Sequence, residues 1–348
     1  MKYRTPQFIR RRGIVLSHEQ VPYASALTFN AGVARRKDGY VMLFRNDYGF
    51  CRQDFDDFYA GISDNTTPKT NLGLAFSSDG LHWRVEPEPV FSLADGDISR
   101  AYDPRITALN DGRFAVCFAV DSRAGTRGGI AVTEDFSRFN VRSVSLPENR
   151  NMVLFPETIN GEYVRLERPF LAGDRNHSIW LSRSPDLVHW GRSEQVLDTR
   201  DLPYADLKIG PGAPPVKTRY GWLTLIHGVE NQDRPFPGWS RDWTRCYYGG
   251  IMLLDLEDPS KIVALAGRPL LVPEEPFELE GFRGGVIFPG GLVVEPDGTA
   301  MIYYGAADTV ECLAEAKLDD LIEFCFSENQ IKSNMNGGFK WNTAKISL

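Results

Sequence analysis

Asp38-Gly39-YVMLFR, ending at Arg45, joins a turn glycine to an unbroken run of aromatic, β-branched and long apolar residues. The arrangement recurs four more times: Asp111-Gly112 before RFAVCFA, Asn160-Gly161 before EYVRLER, Tyr220-Gly221 before WLTLIHG and Asp297-Gly298 before TAMIYYG. In each copy the glycine supplies the positive φ of a tight hairpin turn. After every copy comes a second pattern, a small-residue strand with an Asp-containing turn. It reads AFSSDGLHW from Ala75, AVTEDFSRF from Ala131, LSRSPDLVHW from Leu181, LLDLEDPSKI from Leu253 and AEAKLDDLIEF from Ala314. Strict alternation at roughly 70 residues per unit fits one four-stranded blade with its loops and is too long for a short-repeat solenoid. The sequence therefore predicts an all-β fold, a single five-bladed β-propeller over residues 1–326. Inner strands and loops of such a ring converge on a central channel, so functional residues come from several blades. Ser327 to Leu348 is polar, contains Gly337-Gly338 and keeps neither pattern, which reads as a C-terminal tail.

Composition agrees with a turn-rich β protein: 348 residues, 12% aromatic, with 32 glycines and 22 prolines. A formal net charge of -7 argues against nucleic acid or an anionic membrane as partner, so any anion site must be local. The cysteines Cys51, Cys117, Cys246, Cys312 and Cys325 are odd in number and widely spaced, which suggests reduced thiols and neither disulfides nor a zinc site. Arg10, Arg11 and Arg12 are followed by no apolar leader core, and no run reaches the length of a membrane span. The expected location is the cytoplasm, and a homo-oligomer is expected.

Three clusters carry candidate chemistry. Asp103-Pro104-Arg105 is read as the start of a strand, with proline fixing the chain direction after a carboxylate; alone, Asp-Pro is usually a turn. Asn149-Arg150-Asn151 opens the apolar run to Phe155-Pro156, and Arg165, Glu167 and Arg168-Pro169 follow. Arginines flanking a run that must be largely buried need a carboxylate or an anionic ligand. Lys208-Ile209-Gly210-Pro211-Gly212, followed by His227-Gly228, brings backbone close to something beside two hydrogen-bonding side chains, although a lone strand histidine is more often part of the core. None of these is a nucleotide-type phosphate loop.

Their order is more specific than any one of them. FNAGV (Phe29 to Val33), YDPRIT (Tyr102 to Thr107), NRNMVLFPE (Asn149 to Glu157), LERPF (Leu166 to Phe170), KIGPGAPPVKT (Lys208 to Thr218), GWLTLIHGV (Gly221 to Val229), GIMLLDLEDPSKI (Gly250 to Ile262), VIFPGGLV and IYYGAADTVECLA together resemble glycoside hydrolase family 130 from about Phe29 to Cys325. The family's mannooligosaccharide phosphorylases are the nearest likeness. The resemblance implies a five-bladed propeller and inverting phosphorolysis of β-mannosides, β-1,4-mannooligosaccharides favoured, to α-mannose 1-phosphate. It implies that Asp103 is the catalytic acid, acting through the mannose 3-hydroxyl. It implies that Arg45, Arg150, Asn151, Lys208, His227 and Tyr247 form the phosphate pocket, and that Asn30, Arg168 and Asp308 position the sugar. Ala31 departs from relatives that carry a hydroxyl there.

These residue types suit the chemistry. An inverting hydrolase needs two carboxylates, one as acid and one to activate water. A phosphorylase needs only the acid, because phosphate already carries negative charge and is held by a cationic cradle; arginine's planar fork fits its oxygens. Inorganic phosphate is then a co-substrate, and neither a cofactor nor a metal is called for. Three alternatives remain: a β-1,2-mannoside phosphorylase, a β-mannoside hydrolase on the same fold, and a non-catalytic sugar-binding propeller using Trp83, Trp190, Trp222, Trp239 or Trp243, most of which are better read as blade packing. The polar and aromatic insertion from Val229 to Arg245 is of the kind that lines binding sites.

Overall fold

Each of the two repeated patterns builds one hairpin of a blade. The computed structural model describes residues 2–94, 96–170 and 177–329, and its strands form five antiparallel sheets arranged as a five-bladed β-propeller. Blade I runs from its inner strand Leu27–Arg36 through Gly39–Tyr48 and Lys69–Ser77 to Arg84–Val85. Blade II follows with Ile98–Ala108, Phe114–Ser122, Gly125–Thr133 and Asn140–Val144, and blade III with Asn149–Leu154, Tyr163–Pro169, Ile179–Ser184 and Gly191–Leu197. Blade IV has an inner strand in two pieces, Lys208–Pro211 and Val216–Thr218, then Gly221–Asn231, Arg245–Leu254 and Ile262–Leu265. Blade V consists of Ile287–Val294, Thr299–Ala306 and Val310–Lys317, and its outermost strand is Arg10–Leu16 from the other end of the chain. The glycine pattern is the turn into the second strand of each blade, and the Asp pattern lies at the end of the third.

The apolar runs are continuous because each blade is covered on both faces, and successive residues of a strand point to opposite faces. Val41 and Leu43 pack with Ile106 and Val116 of blade II, whereas Met42 and Phe44 pack with Val293 and Tyr303 of blade V. Further clusters join II to III (Cys117 with Leu154), III to IV (Leu166 with Trp222) and IV to V (Leu225 with Ile302). Five such seams close the ring. At ~25 cal/mol per Å² of apolar surface removed from water, these seams are the main stabilising contribution.

The structure departs from the sequence reading in three places. Asp103 lies in the middle of the inner strand Ile98–Ala108, not at its start. Asp319-Asp320, read as a turn, occupies the first turn of the helix Leu318–Ser327, where carboxylates favour the positive end of the helix dipole. Arg10 to Arg12 belong to the closing strand, with Arg11 donating to Glu278 at 2.8 Å and Arg12 3.4 Å from Glu315. Of the stretch read as a tail, Ser327 ends that helix and residues 330–348 lie outside the described residues. Cys51 is exposed, the other four cysteines are buried and all five are free. Among the described residues no helix is long and apolar enough to cross a membrane, and no group of three or more His, Cys, Asp or Glu is placed to hold a metal ion.

Candidate active site

Three inner strands break their ladder at the same level. Register slips between Phe29 and Gly32, between Tyr102 and Arg105, and between Arg150 and Val153, so that two residues face one across the sheet. The first extra residue of each bulge is left-handed: Asn30 at φ 53°, Asp103 at 51° and Asn151 at 57°. Asparagine and aspartate tolerate this region better than other non-glycine residues, which is why they stand here. Blades I, II and III thus turn one short polar side chain each into the same cavity of about 480 Å³. Asn30 donates from Nδ2 to Asp103 Oδ1 at 3.0 Å, and Arg45 Nη1 donates to the same oxygen at 3.2 Å. Among the described residues Asp103 Oδ2 has no hydrogen-bond partner.

Seven arginine or lysine side chains and two aspartates line this cavity. Arg45 is held by Asp47 and Asp103, Arg100 by Asp121 and Arg283 by Asp308. Among the described residues, Arg150, Arg168, Lys208 and Arg245 have no carboxylate within salt-bridge reach. The contrast with Arg165 is instructive: it is buried like Arg168 but bonds Glu167 at 2.8 Å and stacks on Trp190 at 4.0 Å, so it is structural. Arg150 and Arg168 each leave a buried Nε unbonded. A buried cation with no counter-ion is costly, and an anion in the cavity relieves that cost.

The electrostatics carry the same message. Burial, reinforced by Arg168 and Arg150, lowers the Lys208 pKa to about 6, and burial with Arg150 lowers Arg168 to about 9. Burial pushes the Asp103 carboxyl up, but Arg45, Arg105, the Asn30 amide and Arg150 outweigh it and hold it below the usual carboxylate range. Asp308 goes the other way: burial raises it, and Asp103 adds to the rise against the opposing charges of Arg283 and Arg45. Asp308 sits in the hairpin turn after Ala306, itself left-handed at φ 50°.

Nine of the ten residues singled out in the sequence line the cavity: Asn30, Arg45, Asp103, Arg150, Asn151, Arg168, Lys208, Tyr247 and Asp308. His227 stands behind the wall, fully buried, with Nε2 3.1 Å from Arg168 Nη1 and its ring 5.9 Å from that of Tyr247. Because arginine only donates, Nε2 is the acceptor and the imidazole is neutral, in line with burial and Arg168 lowering its pKa well below the ordinary value. Ala31 is fully buried in the seam between blades V and I, away from the cavity.

Sequence reasoning missed Arg100, Arg245, Arg283 and Phe288 in the lining, and it offered Trp243 as a stacking face only for a non-catalytic sugar-binding propeller. Trp243 lies 6.0 Å from Tyr247, nearly parallel, with Arg283 4.8 Å from its ring. It comes from the insertion anticipated to line a site. That insertion is braced against the helix Arg52–Tyr59 of blade I: Arg241 pairs with Asp56 at 2.7 Å, its N–H donates to Tyr59 Oη at 2.9 Å, and Trp239 packs with Phe55 and Phe282. A larger surface groove of about 650 Å³ lies beside the closing strand, but its Arg11 and Arg12 are already paired with glutamates.

Comparison with known proteins places this geometry. A family described as β-1,4-mannooligosaccharide phosphorylase matches residues 4–327. The β-1,2-mannobiose phosphorylase of Listeria innocua is 32% identical over 74% of this chain and 69% of its own length. The β-1,4-mannooligosaccharide phosphorylase of Ruminococcus albus is 32% identical over 78% of this chain and 82% of its own. The solved Listeria innocua β-1,2-mannobiose phosphorylase, in complex with β-1,2-mannobiose, superimposes with a TM-score of 0.79 at 26% identity, covering 92% of this chain and 99% of that one. A propeller whose cavity sets Asp103 beside cations without carboxylate partners has the makings of a glycoside phosphorylase. The chain belongs to glycoside hydrolase family 130.

Proposed function

We propose that this enzyme cleaves β-mannosides with inorganic phosphate, releasing α-mannose 1-phosphate and a saccharide one unit shorter, with β-1,4-mannooligosaccharides as its substrates. The observation that carries this reading is the group of cations without carboxylate partners, Arg150, Arg168 and Lys208, beside Asp103, while the cavity's other carboxylate, Asp308, is paired with Arg283. Phosphate held by these cations attacks the anomeric carbon from the α face while the bond to the β-linked oxygen breaks on the opposite face. Asp103 supplies the proton that the departing oxygen takes up, through the mannose 3-hydroxyl. Tyr247 and Asn151 complete the phosphate pocket. Asn30 and Asp308 hold the sugar, and His227 acts behind Arg168.

Phosphate also prepares the acid. A dianion seated on Arg150 cancels part of the positive field that holds Asp103 below its usual range, so filling the pocket favours the protonated form that catalysis uses. Preorganised cations offset the repulsion that phosphate meets at a polar sugar site and need no second carboxylate.

Mannobiose cleavage is measured in phosphate-free buffer, in phosphate and in arsenate. One mannose 1-phosphate and one mannose per turnover are expected with phosphate, two mannoses with arsenate because the arsenate ester hydrolyses spontaneously, and neither product without an anion. Equal mannose release without either anion would make water the nucleophile and this reading wrong. β-1,2-Mannobiose is the second substrate to test, since a relative named for it aligns over the length of this chain.

A further inference from the structure

Glu311, in the third strand of blade V, is fully buried and has no place in the chemistry above. Its Oε2 accepts the Ala31 N–H at 3.0 Å, and the neighbouring Asn30 N–H also favours the charged form of this carboxylate. Oε1 has no partner among the described residues. A carboxylate is an expensive group to bury for the sake of two backbone donors. The two donors are the paired residues of the blade I bulge, and the first is the residue whose amide bonds Asp103. Across the hairpin from Glu311 stands Gly305, where a Cβ would lie 2.2 Å from Asn30 Oδ1 and 2.9 Å from Asn30 N. The glutamate therefore grips the turn from one side while the glycine leaves room for the asparagine.

We propose that Glu311 is a positioning residue for the proton donor: it holds the Asn30-Ala31 turn in its left-handed form, and this aims the Asn30 amide at Asp103 Oδ1. The device spans three blades. Blade V supplies the anchor, blade I the amide and blade II the acid, so the closure between the first and last blades bears directly on the reacting group. Tyr303, Cys312, Arg105 and Asp103 are the other titratable or charged groups whose fields meet that of Glu311.

This inference rests on Asp103 as the acid, and one experiment separates the two. Phosphorolysis kcat and the phosphate KM are measured for Asp103→Asn, Asn30→Gly, Glu311→Ala, Glu311→Gln, and each Glu311 substitution combined with Asn30→Gly. Glycine at position 30 keeps the positive φ while removing the amide. Glu311→Ala is expected to lower kcat at least tenfold with the phosphate KM changed less than twofold. Glu311→Gln, which retains one acceptor, should lose only two- to threefold. Neither substitution should lower kcat further once Asn30 is glycine. If Glu311→Ala yields no folded protein, the same comparison is made with Glu311→Gln. Equal losses with and without the Asn30 amide, or an unchanged kcat in the Glu311 variants, would overturn the proposal. An active Asp103→Asn enzyme would instead overturn the assignment of the acid.

Discussion

Blades I to III and blades IV and V solve the same geometric problem in opposite ways. The first three swing a polar side chain into the cavity from a left-handed bulge, at Asn30, Asp103 and Asn151. In the last two the inner strand presents glycine. A Cβ on Gly210 would lie 2.5 Å from the His227 ring, and one on Gly290 would lie 2.0 Å from the Ala31 carbonyl oxygen. The Asp103 side of the channel thus carries side chains on bulges, and on the opposite side the glycines leave space for the His227 ring, Arg168 and the Ala31 carbonyl. Repetition of one architecture yields an asymmetric site because bulges carry Asn or Asp in some copies and glycine stands in others.

The largest way to break that comparison is Asp103→Asn. Asparagine accepts φ near 51° as readily, so circular dichroism and phosphate binding should be unchanged, while kcat should fall by ~10²- to 10⁴-fold, the usual worth of a general acid. Near wild-type turnover would remove the blade II bulge from the chemistry. Next in size are Arg150→Ala and Lys208→Ala, each expected to raise the phosphate KM at least about tenfold, since a charge-assisted contact is worth roughly 1.5–3 kcal/mol. An unaltered phosphate KM would mean that the unpaired cations serve something else.

The glycine side is tested by Gly290→Ala. Its methyl group meets backbone, not a side chain that can swing away, so a loss of about 1–3 kcal/mol in urea unfolding is expected. Activity in the folded fraction should fall too, because Ala31 adjoins Asn30. Wild-type stability would indicate that the seam between blades V and I is slack. The smallest effect is one of proton counting. Lys208, with its pKa lowered to about 6, is mostly neutral in the empty pocket at pH 7.5 and becomes charged when phosphate arrives, so binding takes up protons. Calorimetry in buffers of different ionisation enthalpy should detect that uptake, and Lys208→Arg should lessen it by up to about one proton because arginine stays charged throughout. Identical proton counts for both proteins would contradict a neutral Lys208.

The blades were legible in the sequence because their signals are local. A glycine turn and a doubly buried strand lie within ten residues of each other, and the alternation of two such patterns leaves few architectures. The closing strand was not legible, since Arg10 to Leu16 finds its partner at the far end of the described chain and carries no turn of its own. Within the site, Asp103 had a readable mark in Asp103-Pro104-Arg105, whereas Asn30 and Asn151 were reached only through the resemblance carried by the order of the motifs. Arg100, Arg245 and Arg283 had none, because what distinguishes them from surface arginines is which blade they face. Glu311 had a faint one, an acid between valine and cysteine in the most buried part of its strand.

That late-arriving strand partner also sets a timetable. Blade V begins near Ile287 and cannot be completed until Val310–Lys317 has met Arg10–Leu16, a pairing of very high sequence separation whose loop-closure entropy must be met before its contacts form. A nascent chain carrying only blades I to IV has Asp103 and most of the cations, yet Asp308 and the anchor beneath Asn30 are still to be synthesised. The phosphate-consuming machinery therefore assembles late, and an incomplete or nicked ring has the residues of an enzyme without the geometry of one.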